Sequence, residues 1–437
     1  MLNSVARAIT RDRTLPGQLA QRTVALILAG GNGTRLGDLT RWDAKPAVSF
    51  GGTHRNIDFS LSNCINSGIR RVAVMTQYKA QSLIEHVQQG WDFLPRQLGE
   101  FIDLWPAQQR INSGWYRGTA DAIHQNLDLL RKFEAPYVLV LAGDHIYTMD
   151  YSAMLEAHVR CGAKVTIGCV EMPRETVGNF GVVIADENGK ITNFLEKPRE
   201  PERLFPDCEQ LLVSMGIYVF STDYLIQALE RDASLEESTH DFGRDVLPRA
   251  TAERCAHAYS FKDRKTGQPG YWRDVGTLDA YWLAHMELLS HQPPISLDDP
   301  SWPIHTRQQH LPPASIVQRA QRGGSLIGNV ILSQGCVVTD AVVSNSVLAP
   351  GARVEARAIV EDSIILPGAI IGPGCHISRA IIDAGVQVPA GTVVGRDRNN
   401  DETRFTVTAD HITLVSHAAH FGSSLGAQSA ASQGVAA

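Results

Sequence analysis

From Val24 to Ala29 the chain runs without a polar residue and ends in the glycine-rich stretch Gly30-Gly31-Asn32-Gly33-Thr34-Arg35. An apolar run this short, stopped by glycines, predicts a strand buried on both faces by helices. Helical spacing follows over Asn56–Ser67, then an apolar strand over Arg71–Thr76 and a helix over Ala80–Gln89. The alternation continues with a helix from about Thr119 to Lys132, a strand Tyr137–Ala142, a helix Tyr151–Cys161 and a strand Lys164–Val170. Strands alternating with helices predict a three-layer α/β domain with a mostly parallel sheet. Beyond Gly181 the pattern changes to a hairpin, Phe180–Ala185 and Ile191–Glu196, around the turn Asp186-Glu187-Asn188-Gly189. A helix over Leu278–Ser290 closes the domain.

The second half beats differently. Val330, Cys336, Val342, Leu348, Val354, Val360 and Leu366 are apolar at every sixth position, and after a shift the beat returns at Ile382, Val388 and Val394. Pro350-Gly351, Pro367-Gly368 and Pro373-Gly374 punctuate it. Six residues make one flat face and its turn, and three faces make one coil of a β-solenoid, whose interior is buried only by stacking. A sandwich of short strands would not hold one phase over so many units. Between the halves, Pro293, Pro294, Pro300, Pro303, Pro312 and Pro313 mark residues 292–314 as an extended linker. The expected division is therefore a flexible segment at 1–21, a catalytic domain at 22–291, the linker, a β-helix at 315–417, and a disordered Ala/Ser/Gly-rich tail at 418–437.

Composition narrows the partners. With 437 residues, a formal charge of −6 and 20% charged residues, the chain offers no general attraction to nucleic acid or to an anionic membrane. The 7 cysteines are scattered without a C-x-x-C pair, which reads as free thiols in a reducing interior. No apolar run is long enough for a bilayer, and a cytoplasmic location is expected.

Candidate chemistry sits at strand ends. The glycines after the first strand would let backbone N–H groups approach a polyphosphate, with Arg35 and, ten residues on, Lys45 supplying charge. The spacing fits neither a Walker loop nor a dinucleotide fingerprint, since Leu36 stands where the latter needs glycine. A glycine-rich loop is also an ordinary turn. Asp144, ending Leu139-Val140-Leu141-Ala142-Gly143-Asp144, would project into the crevice at the strand's carboxyl end and suits Mg²⁺, though a turn aspartate reads the same locally. Asp274, in Tyr271-Trp272-Arg273-Asp274, is a second acid whose reach to Asp144 no local signal establishes.

These pieces together resemble the ADP-glucose pyrophosphorylase (glucose-1-phosphate adenylyltransferase) family over about residues 22–417. The motifs are Leu28–Leu36, Ala44–Val48, Ile57–Asn63, Trp115–Ala122, Ala142–Tyr147, Glu196-Lys197-Pro198, Ser214–Phe220 and Tyr271–Thr277. The resemblance implies an α/β nucleotidyltransferase domain, glycosyltransferase-A-like with a Rossmann-like mixed sheet, followed by a left-handed parallel β-helix. It implies Mg²⁺-assisted in-line attack of glucose 1-phosphate on ATP, giving ADP-glucose for glycogen synthesis. By the same resemblance Asp144, Arg35 and Lys45 are catalytic, and Asp144 with Asp274 holds the metal. Gly30, Gly31, Gly33, Thr34, Arg35 and Lys45 bind ATP, while Tyr116, Gly181, Glu196, Lys197 and Ser214 bind glucose 1-phosphate; Tyr116 read alone is equally a packed aromatic. A homotetramer with small-molecule effectors is implied, as are two other readings of the plan: a UTP or dTTP enzyme, or a non-catalytic regulatory subunit. Where many members carry an activator lysine followed by an arginine, this chain has Trp42 and Asp43; Asn32 and Ala384 also stand at positions of arginine. Arg55 matches an inhibitor-binding position and Arg41 partly replaces the missing charge, so the effector is expected to be altered or activation weak.

Overall fold

A computed structural model describes residues 16–31, 33–108, 115–318 and 325–421. The calls at Asn32 and on most of the two tails fall outside these residues. By contacts the chain divides into two units: Met1–Phe50, His54–Ala280 and Gln292–Gln309 in the first, and Gly51–Thr53, Tyr281–His291 and His310–Ala437 in the second.

The first unit is built around Thr23–Leu28, whose side chains are almost all buried. It pairs in parallel with Arg71–Thr76 on one side and Tyr137–Ala142 on the other, with Phe101–Pro106 extending the parallel set. The rest of the sheet is mostly antiparallel, apart from Ala256–Ser260, which pairs in parallel with Val165–Pro173. The 12-residue strand Gln210–Ser221 runs antiparallel to Tyr137–Ala142 and to Val165–Pro173. The sheet is therefore mixed from residue 165 onward, earlier than the expected hairpin at 181–196. Apolar residues of both sheet faces, among them Ile27, Leu139 and Leu141 on one and Leu26, Val138 and Val140 on the other, feed two separate cores. That is the three-layer arrangement the continuous apolar runs require. The helix expected over 119–132 is two helices, Thr119–His124 and Leu127–Arg131. It breaks at Asn126, whose side-chain amide donates to Ala122 O at 2.8 Å and to the Tyr116 hydroxyl at 3.0 Å.

Residues 292–309 carry no regular structure but are packed, because Ile295, Trp302 and Ile304 are buried. Trp302 Nε1 donates to Asn63 Oδ1 at 2.8 Å, and His305 N to Ser62 Oγ at 2.8 Å. Proline spacing alone reads as a free linker; the interleaved aromatics attach this stretch to the first unit.

The second unit is a parallel β-solenoid. Three inward columns fill it: Val338, Val354, Ile371 and Val388; Val343, Val360, Ile377 and Val394; Leu348, Ile365, Ile382 and Val415. All twelve are buried. A coil advances 17 residues over most of the solenoid, as from Val343 to Val360 to Ile377, and 16 at its start, as from Val338 to Val354, so it falls short of three sixes. This corrects the strict six-residue beat: Val343 and Ile365, not Val342 and Leu366, hold the columns. The short face turns through Asn345, Asp362 and Arg379, which take left-handed backbone with φ of 43°, 47° and 47°. Their side chains stack as well, Asn345 Nδ2 donating to Asp362 Oδ1 at 2.6 Å. The helix Leu278–Leu288 lies along this corner, with Trp282 Nε1 donating to Asp362 O at 2.8 Å and Arg379 4.7 Å over the Trp282 ring.

Candidate active site

The two central strands deliver the site side by side. Leu28 is in register with Ala142, so the loop beginning at Gly30 and the acid Asp144 leave the sheet at the same carboxyl edge. Gly143 makes this possible: a Cβ there would lie 3.0 Å from Ile27 Cγ2 and 3.2 Å from Leu28 O. Open α/β sheets place ligands at this edge.

Asp274 reaches the same point from far along the chain. The strand Trp272–Asp274 pairs antiparallel with His145–Tyr147, setting Asp274 opposite His145. Lys45 arrives on the short turn Lys45–Ala47, whose carbonyl is held by Asn56 Nδ2 at 3.0 Å. Its ammonium lies 2.8 Å from Asp144 Oδ2 and 2.6 Å from Asp274 Oδ1. Arg35 adds a looser contact to Asp274 at 3.6 Å with a largely exposed side chain. Burial opposes ionisation of the Asp144 carboxyl, but Lys45 and His145 outweigh it and hold the group at about 2. Burial likewise opposes the Lys45 charge, and the two carboxylates overcome it and raise the ammonium above its ordinary value. Asp144, His145 and Asp274 each offer a ligand atom within 4.8 Å of the others. Two hard carboxylates converging at the edge of a cleft suit a divalent cation of the magnesium type.

The other half of the cleft is made by the hairpin and the long strand. Glu196 is in register with Gly181, and Lys197 follows with a left-handed φ of 48°, its amine 3.0 Å from Glu196 Oε1. A Cβ at Gly181 would lie 2.9 Å from Glu196 Oε2, and one at Gly243 would lie 2.5 Å from it. The Glu196 carboxylate is thus cradled by two glycines. Ser214 precedes a bulge in Gln210–Ser221, and Gly216 N donates to its hydroxyl at 3.3 Å. The Tyr116 hydroxyl accepts from Asn126, and burial raises its pKa.

These elements converge on one cleft of about 670 Å³. Of the expected site, Gly30, Gly31, Arg35, Lys45, Tyr116, Asp144, Gly181, Glu196, Lys197, Ser214 and Asp274 line it. Gly33 and Thr34 do not: Gly33 turns with φ 60° and accepts from Thr40 Oγ1 at 2.8 Å, and Thr34 opens a short helical turn behind the loop. Arg41 and Arg55 lie elsewhere. Arg41 rests 5.4 Å from the ring of Trp42, which is 75% exposed. Arg55 donates to Ser82 O at 3.2 Å, close to Asp43.

Some lining residues carry no motif signal. Gln77 and Asp241 come from loops, and Asn179 and Gly243 from short irregular helical turns, none of which leaves a periodicity in the sequence. Trp272, open between core packing and function in the sequence, does both: it packs on His145 and Phe180 with ring centres at 4.8 and 5.3 Å, and it lines the cleft.

Known proteins match this arrangement. The family described as nucleotidyl transferase matches residues 24–291, and the family described as GlmU-like, C-terminal hexapeptide, matches residues 312–415. A glucose-1-phosphate adenylyltransferase of Paraburkholderia phytofirmans is 48% identical, covering 91% of this chain and 96% of its own. Those of Hydrogenovibrio crunogenus and Thiobacillus denitrificans are 49% and 50% identical, covering 91% and 92% of this chain and 94% and 92% of theirs.

Proposed function

The chain belongs to the glucose-1-phosphate adenylyltransferase family, and from that premise we propose that it joins ATP and glucose 1-phosphate into ADP-glucose and diphosphate. A phosphate oxygen of glucose 1-phosphate attacks the α-phosphorus of ATP, and the bond to the bridging oxygen of the β-phosphate breaks as diphosphate leaves. The substrate brings its own nucleophile, so catalysis reduces to positioning and charge.

In this reading the backbone of Gly30 and Gly31 approaches the triphosphate, with Gly33 and Thr34 shaping the turn behind it and Arg35 reaching in. Lys45 opposes the negative charge that grows on the departing diphosphate. Asp144 and Asp274 would hold Mg²⁺, which would supply positive charge against the phosphates. Lys197, restrained by Glu196, receives the phosphate of the sugar, while Tyr116, Gly181 and Ser214 border the glucose ring. The observation that carries the proposal is the Lys45 ammonium at 2.8 and 2.6 Å from two carboxylates, in the same cleft as the glycine loop and Lys197. A lone basic or acidic residue would be ordinary; this convergence at a sheet's carboxyl edge is what metal-assisted phosphoryl chemistry needs.

The product would serve glycogen synthesis, in the cytoplasm, from a homotetramer tuned by sugar phosphates or AMP-like nucleotides through the region of Arg41 and Arg55. Among the described residues no helix is long and apolar enough to cross a membrane.

Diphosphate release with glucose 1-phosphate and Mg²⁺ tests the proposal when ATP, UTP, dTTP and GTP are compared, with Asp144→Asn as control. A preference for ATP that vanishes in the variant is expected. Preference for another nucleotide would keep the chemistry and overturn the ADP-glucose reading. No turnover with any nucleotide, with or without effectors, would make the chain a regulatory subunit.

A further inference from the structure

The wall of the cleft at Asp241, Phe242 and Gly243 is set by a residue that does not line it. His240 is buried, at 2% exposure, and takes a left-handed backbone with φ 54° although it is not glycine. Its Nδ1 lies 2.8 Å from Asp232 Oδ2, and since a carboxylate only accepts, the ring donates. Asp232 is buried too, near the end of the helix Thr222–Ala233, and its other oxygen accepts from Ser238 Oγ at 2.6 Å. The Ser238 hydroxyl in turn accepts from His240 N at 2.9 Å. A buried carboxylate at a helix end thus ties down a strained turn at two points.

What that turn presents is the site. The His240 carbonyl accepts from Ala120 N at 2.8 Å and from Asp121 N at 3.3 Å, fixing the start of the helix Thr119–His124. The approach is so close that a Cβ at Gly118 would lie 2.3 Å from it. The next residue, Asp241, accepts from Thr119 Oγ1 at 2.9 Å and from Gly243 N at 2.9 Å. Phe242 N donates back to Thr119 Oγ1 at 3.0 Å. Gly243 packs against Glu196, and Gly118 and Thr119 continue from Tyr116, so this wall borders the half of the cleft that holds Glu196, Lys197 and Tyr116. None of the hydrogen bonds of His240 and Asp241 named above goes to Gly30, Arg35 or Lys45. Non-glycine residues held in the left-handed region concentrate where surrounding structure over-determines them at functional sites.

We propose that His240, tethered by Asp232, is a positioning residue that sets the sugar-phosphate half of the cleft. Losing the tether frees Asp241–Gly243 and the start of the helix Thr119–His124 to drift, which loosens the sugar phosphate and leaves the nucleotide half in place. The inference rests on the reading of this cleft as a glucose-1-phosphate adenylyltransferase site.

Steady-state kinetics on the full chain separates the two. Wild-type turnover of ATP and glucose 1-phosphate tests the functional reading; the variants test His240 only if that turnover is present. His240→Ala is expected to raise KM for glucose 1-phosphate tenfold or more while KM for ATP stays within twofold. His240→Gly removes the backbone strain together with the tether, folds without the left-handed penalty, and should show the same split. His240→Asn tolerates the left-handed turn, can donate to Asp232, and should recover most of the sugar-phosphate affinity. A His240→Gly enzyme with wild-type KM for glucose 1-phosphate would overturn the proposal. So would equal rises in both KM values, or an Asn variant no better than Ala, since either outcome describes a merely structural residue.

Discussion

Lys45 meets Asp274 across 229 positions of sequence, and that pair defines the site more sharply than any motif. Two carboxylates sharing one ammonium would repel each other if the lysine were lost, so Lys45→Met should leave a site that still gathers cations but no longer stabilises a leaving diphosphate. Substituting Asp144 by Asn removes one arm of the lysine's restraint and, on the proposed reading, a cation ligand. Turnover is expected to fall by about 10²–10³ or more, the scale of removing one preorganised charge contact. Asp274→Asn should fall in the same direction. Mn²⁺ titration followed by electron paramagnetic resonance checks the cause, because both variants should bind the ion more weakly; undiminished binding would take the carboxylates out of the metal site. The pH sign follows from the Asp144 carboxyl being held at about 2. Its folded value lies below the unfolded one of roughly 3.9, so its contribution is complete above pH 4 and lost as pH falls towards 2. At a quarter exposed, that contribution is on the order of 2 kcal/mol. An acid limb of activity near neutral pH must therefore come from another group.

At the scale of elements, the helix Leu278–Leu288 carries a second titrating group with the opposite chemistry. Fully buried His285 donates from Nδ1 to Tyr281 O at 2.9 Å and accepts at Nε2 from Gly51 N at 3.1 Å, which fixes it neutral. Burial lowers its pKa to about 4, and that of His158 likewise to about 4. The unfolded chain takes up these protons near pH 6.5, while the folded chain resists until about 4. Stability present above pH 6.5 is thus lost as pH falls to 4. Urea unfolding at several pH values should show this slope, and His285→Gln should flatten part of it; an unchanged slope would mean that His285 is accessible to protons in the folded state. In the solenoid, Ile377→Ala should cost about 2–5 kcal/mol, read as a lower urea midpoint, because the stacked column leaves the cavity nowhere to collapse. These elements also mark how far the sequence could be read. Runs such as Val138–Leu141 announce buried strands because both their faces are covered. Asp144, Lys197 and the glycine loop are legible because each sits at a strand end. The 17-residue coil was not, since left-handed corners at Asn345, Asp362 and Arg379 absorb a residue without changing the apolar count. Nor was the wall at Asp241, since its loop is held by a helix end and a distant threonine, and neither leaves a local periodicity.

For the molecule as a whole, regulation is where an altered response is expected. A phosphorylated effector needs positive charge, and where the family resemblance leads one to expect a lysine and an arginine this chain has Trp42 and Asp43. Trp42 is 75% exposed and accompanied by Arg41. Asp43 accepts from Ser82 Oγ, and its charge offsets that of the nearby Arg55, which also donates to Ser82 O. The charge of Arg55 is thus partly offset by Asp43 and Asp58, which weakens its hold on a bisphosphate. Arg55 also sits at the foot of the hairpin Ser49–Phe50 and His54–Arg55, whose tip Gly51–Thr53 groups with the second unit and is tied there to His285. Fructose 1,6-bisphosphate is expected to change turnover by less than about twofold, against the roughly 5- to 150-fold of ordinary allosteric couplings. The paired change Trp42→Lys with Asp43→Arg should increase that response by restoring charge beside Arg55. Initial rates against effector concentration, at subsaturating ATP, decide it. Strong activation of the unaltered chain would show that Arg41 and Arg55 suffice for the phosphates, and that the exposed tryptophan is no obstacle to them.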